Sequence, residues 1–219
     1  MVSIADTERA ALCDLLDELG PDAPTLCEGW TTRDMAVHLY VRDRDPKAWA
    51  GITVGRLHGL AEQAMAAQAD RPYGEIVAAV RAGAPKWSPM GLPGAKDLVN
   101  LLEFVIHHED VRRAGDSPQT ARDLGPEVEE WMWRRLKLLA RAWFRRVQVG
   151  VVLERLGSAG DGGAPETIRA VPGSSIVTLV GQPSEVMLFA HGRSGAEVKL
   201  VGEPDAIDIL NAADLSTEL

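Results

Sequence analysis

The sequence contains only two cysteines among its 219 residues, Cys13 and Cys27. Their spacing does not form a recognisable zinc-binding or redox motif. Cys13 falls at helical spacing with Leu12 and Leu16, which predicts a small core residue. Cys27 precedes a loop, and we expect it to have a structural rather than a nucleophilic role.

The sequence also lacks an excess of positive charge and any long apolar run. A net charge of -9 argues against a general nucleic-acid binder, because phosphate binding needs a positive surface. No stretch of about 18 apolar residues could span a membrane, and the N-terminus does not resemble a secretory signal. We therefore expect a cytoplasmic protein that acts on a small molecule, with no nucleic-acid or membrane partner, as a monomer or homodimer.

The first half of the sequence has helical periodicity. The first predicted helix begins near Ile4 and ends at Gly20 and Pro21, and the second begins at a capping box formed by Thr31 and Asp34. Two further helices are expected at about Tyr73–Ala82 and Ala95–Ala114. Four helices with short to moderate connections predict a bundle.

The second half begins with one more predicted helix, in LGPEVEEWMWRRLKLLARAWFRR, and then changes from helical to strand patterns. β-Branched runs bounded by Gly, Pro and Ser predict strands in VGVVLERL, ETIRAV and SSIVTLVG. A helix in QPSEVMLFAHG, a strand in AEVKLVG and a helix in EPDAIDILNAADL complete the pattern. The predicted fold class is α+β, with a four-helix bundle at 1-120 followed by a small α/β domain at 121-219.

Three polar residues interrupt the apolar faces of the predicted bundle. Glu103 and His107 are four apart, so their side chains are neighbours on one helix, and His38 lies in an earlier helix. Such groups are buried only with partners, and a divalent cation between the two helices would satisfy all three. Two imidazoles and one carboxylate leave an open position on zinc, typical of a catalytic site. The net positive charge of such a centre favours hydroxide or thiolate there.

The residues alone leave alternatives open. Glu103 and His107 could form a hydrogen-bonded buried pair without metal, in a purely structural bundle. His108 is a rival ligand, although it lies about 100° round the helix from His107 and pairs poorly with Glu103. Asp110 could accept the proton of the second ring nitrogen of His107 or be a surface carboxylate.

The motifs GW-T-x-R-D-x-x-x-H around His38 and E-x-x-x-H-x-x-D from Glu103 to Asp110 resemble the mycothiol-dependent maleylpyruvate isomerase family, within the DinB-like metal-binding bundles. The tail, GQPSEVMLFAHGR followed by AEVKLVGEPDAI, is similar to that family's C-terminal domain. The charged stretch HEDVRR is closer to an uncharacterised actinobacterial metal-binding branch.

The resemblance implies that His38, Glu103 and His107 hold the metal and that Arg193 takes part in catalysis. It also implies mycothiol or another small thiol as cosubstrate, whose pKa the metal would lower. The resulting hypothesis is a metal- and thiol-dependent isomerase or transferase that acts on a small electrophile, with Arg193 pairing with a substrate carboxylate. The competing hypotheses are a metal-dependent hydrolase and a metal-binding or sensing protein without turnover.

Overall fold

The computed structural model describes residues 3–53, 58–91, 99–115, 119–159, 164–193 and 195–215. The chain mixes helices with a four-stranded sheet. It divides into two compact units, one formed by residues 1–119 and the other by residues 120–217.

The described part of the first unit is mainly helical. Its helices are α1 (Ile4–Leu19), α2 (Thr32–Arg44), α3 (Pro46–Thr53), α4 (His58–Ala66), α5 (Tyr73–Ala82) and α6 (Leu101–Arg112), with a 3-10 turn at Pro89–Gly91. One apolar core joins α1, α2, α5 and α6, and its fully buried members include Leu12, Leu16, Met35, Leu39, Ile76, Val80 and Phe104.

Local sequence signals set the ends of these helices. The Ser3 side chain caps α1, and Gly20 follows its last residue with a φ of 75°, a conformation that side chains other than glycine rarely adopt. Thr31 and Asp34 form the predicted capping box of α2, in which each side chain accepts from the other residue's backbone N–H. This cap fixes the register in which α2 presents His38.

The second unit contains α7 (Gly125–Trp143), β1 (Gly150–Ala159), β2 (Pro165–Val171), β3 (Ile176–Gly181), α8 (Pro183–Ala190), β4 (Lys199–Val201) and α9 (Pro204–Asn211). The sheet order is β2-β1-β3-β4, with β1 parallel to β3 and the outer pairs antiparallel. Val151, Leu153, Val177 and Leu179 are paired across β1 and β3 and are fully buried. Successive residues of a strand point to opposite faces of the sheet, so these four side chains share the face that packs on the core.

Some elements differ from the sequence-based expectation. Helices α3 and α4 were not predicted, because Gly51 and Gly59 interrupt a segment with little apolar periodicity. The predicted helix at 95–114 is a helix from Leu101 to Arg112, while residues 95–98 lie outside the described part of the chain. Only Lys199–Val201 of the AEVKLVG run is a strand. None of the described helices combines the length and apolarity that a bilayer crossing requires.

Cys13 offers a test of the core of the first unit. Burial raises the pKa of its thiol from 9.0 to about 12, because a fully buried site disfavours the charged thiolate more than the nearby Arg81 and Arg9 favour it. The folded state therefore holds this proton more tightly than the unfolded state. Its contribution to stability is complete below pH 9 and is lost as the pH rises toward 12.

We expect the free energy of unfolding to fall between pH 7.5 and pH 10 by roughly 1 kcal/mol more in the wild-type protein than in Cys13→Ala. Urea denaturation at both pH values measures this difference, and the comparison of pH effects cancels the packing cost of the substitution itself. Equal losses in the two proteins would show that the thiol ionises as readily in the folded chain as in the unfolded one.

Candidate metal centre

The structure brings His38, Glu103 and His107 together inside the first unit. Nε2 of His38 lies 2.9 Å from Oε1 of Glu103, and Nε2 of His107 lies 3.3 Å from the same oxygen. The three potential ligand atoms all lie within 4.8 Å of one another. All three side chains are at most 5% exposed. Two imidazole nitrogens and a carboxylate oxygen therefore converge on one buried point.

The helices account for this convergence. Glu103 and His107 are four apart on α6, so their side chains stack on one face, and His38 reaches them from α2. The His38 ring packs near those of Trp30 and His107, with centroid distances of 5.2 and 5.1 Å. Nearly every residue of α6 is buried, which makes it a central helix rather than an amphipathic surface helix.

One atom of this cluster lacks a hydrogen bond. Nε2 of His107 is buried and makes none, although it lies close to Glu103. An unsatisfied buried polar atom costs about 1–3 kcal/mol. Tetrahedral zinc with nitrogen and oxygen ligands about 2.1 Å away separates those ligands by about 3.4 Å. The two separations from Oε1 of Glu103 are within about half an ångström of that value, and the third is below 4.8 Å, so the residues fit a divalent ion.

Arg42 is the fourth member of the cluster. Its Nε lies 3.3 Å from Oε1 of Glu103, its Nη1 lies 3.2 Å from Oδ1 of Asp43, and its Nη2 donates to Oδ1 of Asn100 at 2.9 Å. Asn100 in turn donates to the backbone oxygen of Met90 at 3.1 Å. The guanidinium is 2% exposed, so this network is fixed by packing as well as by charge. It holds the Glu103 carboxylate in place.

The electrostatics of the cluster follow from burial and these contacts. Burial by itself would raise the pKa of the Glu103 carboxyl, but the Arg42 guanidinium, the hydrogen bond with His38 and the nearby His107 ring hold this pKa well below its usual range. Burial lowers the pKa of His38. Burial also opposes the charging of His107, yet its hydrogen bonds, above all with Asp110, raise its pKa well above the usual value.

The buried charged groups of the cluster carry a net negative charge that a cation could neutralise. Glu103, Asp110 and Asp43 are buried carboxylates, and Arg42 is the buried cation in contact with this group. With both imidazoles neutral, three negative charges and one positive charge leave a net charge of about two negative units. A divalent ion would neutralise it, and in the absence of an ion the proton on His107 does so in part.

Asp110 lies beneath the cluster rather than at the surface. Its side chain is fully buried, and its Oδ2 is 3.0 Å from Nδ1 of His107. The thiol of Cys27 donates to the same Oδ2 at 3.3 Å. A carboxylate on the second ring nitrogen fixes the orientation and tautomer of a metal-binding histidine. The geometry therefore suits the outer role that the sequence suggested for Asp110.

The remaining candidates lie elsewhere. Nδ1 of His108 is 2.8 Å from Oε1 of Glu8 on α1, away from His38. Arg193 belongs to the second unit, where its Nη1 donates to the backbone oxygen of His191 at 2.6 Å. It borders a cavity of about 250 Å³ that Phe189 and Leu210 also line. His191 is buried, whereas the side chain of His58 lies outside the described residues.

Two residues of the cluster were not singled out from the sequence as partners of the site. Arg42 follows His38 by one helical turn, and its place on that face was the available signal. Cys27 reaches Asp110 across 83 residues of sequence, so no local pattern could have indicated the contact.

No model of a known protein family matches the sequence, and no curated protein is significantly similar to it. Solved structures do resemble the model. A histidine-to-alanine mutant of the mycothiol-dependent maleylpyruvate isomerase aligns with a TM-score of 0.56 and 16% identity, over 91% of this chain and 90% of that chain. Another structure of a mycothiol-dependent maleylpyruvate isomerase aligns over the same shares with a TM-score of 0.54 and 15% identity. These likenesses establish a shared fold across both units.

The buried Arg42 network predicts a large effect on stability. Arg42→Met leaves Glu103 and Asp43 as buried carboxylates without their cation, so the free energy of unfolding should fall by about 3–5 kcal/mol. Arg81 is a matched control because it also contacts two carboxylates, those of Asp14 and Asp17, at the surface. Arg81→Met should cost no more than about 1 kcal/mol.

Urea denaturation of chelator-treated protein, followed by circular dichroism, measures both values. Similar losses in the two variants would mean that the contacts of Arg42 are as weak as a surface ion pair.

Proposed function

We propose that this protein is a divalent-metal enzyme that uses a low-molecular-weight thiol, as an isomerase or a transferase acting on a small electrophile. In this proposal His38, Glu103 and His107 hold the metal, and zinc is the ion that best suits their nitrogen and oxygen donors. The observation that carries it is the convergence of these atoms on one buried point at which Nε2 of His107 has no hydrogen bond. A likeness in fold to mycothiol-dependent isomerases supports the choice of reaction.

A bound divalent ion would lower the pKa of a coordinated thiol and so supply a thiolate at neutral pH. The residues around the proposed metal site have different roles. Nε2 of each histidine and one oxygen of Glu103 bind the ion. Asp110 accepts from Nδ1 of His107, which turns the lone pair of Nε2 toward the ion. Arg42 keeps the Glu103 carboxylate charged and oriented.

Burial contributes to this chemistry. The ligands are almost inaccessible to solvent, so charges in the site interact more strongly than they would in water. The proposal gives Arg193 the task of pairing with a substrate carboxylate, because its planar fork matches that group and it borders an apolar cavity.

Metal content tests the ligand set. In the Cys27→Ser background, which removes any sulfur ligand, protein purified without an affinity tag should bind one equivalent of zinc. Adding His38→Ala should weaken zinc binding by more than the roughly 10–100-fold that loss of an outer hydrogen-bond partner costs. His108→Ala is the matched control, since this buried histidine on α6 contacts Glu8 instead, and it should bind zinc like the wild type.

Elemental analysis and calorimetric titration measure both quantities. Zinc binding that survives in His38→Ala and in the double variant Glu103→Ala/His107→Ala, but is lost in His108→Ala, would overturn the assignment. Absence of zinc from the reloaded wild type would reduce the cluster to a buried polar network.

Thiol binding tests the proposed reaction class. Cobalt-substituted protein should develop a sulfur-to-cobalt charge-transfer band on addition of mycothiol, because the thiol enters the coordination position that the three side chains leave open. The titration is best done in Cys27→Ser, so that any sulfur ligand comes from the added compound. The S-methylated thiol is the control and should give a much weaker band, since it cannot become a thiolate.

No spectral change with any thiol, in protein that binds cobalt stoichiometrically, would exclude thiol chemistry at this centre. Hydrolysis by a metal-activated water would then become the better explanation of the site.

A further inference from the structure

A second set of metal-ligating atoms surrounds the other nitrogen of His107. Sγ of Cys27, Nδ1 of His107 and a carboxylate oxygen of Asp110 lie within 4.8 Å of one another. Sγ and Nδ1 are 3.3 and 3.0 Å from Oδ2 of Asp110. The neighbouring set formed by His38, Glu103 and Nε2 of His107 uses no sulfur. One imidazole therefore has a potential cation site at each nitrogen.

The spacing of these atoms suits a metal ion without large movements. Bonds of about 2.3 Å to sulfur and 2.0–2.2 Å to nitrogen and oxygen place tetrahedral ligands about 3.4–3.6 Å apart. The two distances from Oδ2 of Asp110 fall a few tenths of an ångström short of this range, as expected for atoms that now share hydrogen bonds. Outward shifts of less than an ångström would open the site.

The loop that carries Cys27 is held against α6. The backbone N–H of Leu26 donates to the backbone oxygen of Asp110 at 2.9 Å, and that of Trp30 donates to the backbone oxygen of Cys27 at 3.0 Å. The Thr25 hydroxyl accepts from the backbone N–H of Cys27 at 3.2 Å. Cys27 itself is partly exposed, so these contacts position a residue that solvent reaches in part.

We propose that Cys27, Asp110 and Nδ1 of His107 form a second binding site that takes a thiophilic divalent cation. Thiolate ligands select soft metals, whereas the His38, Glu103 and His107 set contains only nitrogen and oxygen. On binding, the Cys27 thiol releases its proton to solvent as the sulfur–metal bond forms. Nδ1 of His107 also loses to solvent the proton that it donates to Asp110, so that its lone pair binds the ion and the proton that remains on the neutral ring occupies Nε2.

This exchange couples the two sites. A neutral imidazole has one lone pair, so His107 serves an ion at Nδ1 or at Nε2 but not at both. A thiophilic cation at Cys27 would therefore weaken binding of an ion by His38 and Glu103, and the reverse holds by linkage. The coupling rests on the proposed function, whereas the existence of the second site does not.

Cadmium titration tests the site directly, since cadmium bound to a thiolate gives a charge-transfer band in the ultraviolet. We expect this band to saturate at one equivalent in the wild type and also in His38→Ala/Glu103→Gln, where the first site is removed. Cys27→Ser should lose the band. Cys13→Ala is the matched control and should keep it, because Cys13 is fully buried. Asp110→Asn should weaken cadmium binding at least tenfold.

A band that persists in Cys27→Ser, or that disappears in His38→Ala/Glu103→Gln while circular dichroism shows intact helices, would overturn the proposal. The coupling has its own measurement, in which cadmium should weaken cobalt binding in the wild type but not in Cys27→Ser. If the wild type binds no cobalt at all, the proposed function fails while the cadmium titration still decides whether this site exists.

Discussion

The first unit depends on a single buried oxygen. Oε1 of Glu103 is contacted by His38, by His107 and by Arg42, and these contacts join α2 to α6 within a helical core. A carboxylate in such a place is costly unless it is paired and hydrogen-bonded. The cluster pairs it with one permanent cation and two titratable rings. If Arg42, His38 or His107 is replaced, the Glu103 carboxylate stays buried with fewer partners, and the free energy of unfolding should fall.

The cluster of His38, Glu103 and His107 could be predicted from the sequence because its main pattern is local. Glu103 and His107 interrupt an apolar helix at a spacing of four, and buried polar groups need partners, so a third ligand on a neighbouring helix could be inferred. The helix ends were equally local, since the capping box at Thr31 and the glycine at position 20 are short motifs. These features could be predicted without any knowledge of tertiary structure.

Other features depend on tertiary contacts. The link from Cys27 to Asp110 spans 83 residues and is created by the packing of a loop on α6. The burial of Asp110 has the same origin, because the 3.6-residue period alone could not tell a central helix from one with a solvent-facing side. Strand β4 is shorter than its alternating sequence because it pairs only with β3 at the edge of the sheet. Each of these features depends on contacts between residues that are distant in the sequence.

The two nitrogens of His107 connect structure to chemistry. Asp110 holds Nδ1 while Nε2 faces Glu103 without a hydrogen bond, so the ring is already oriented as a metal ligand. Its orientation also depends on Cys27, which donates to the same carboxylate oxygen. Any change at that thiol, whether a substitution or the binding of a soft cation, must alter the acceptor that fixes the tautomer of His107. The proposed second site would therefore let Cys27, which is partly exposed, influence which nitrogen of His107 binds an ion.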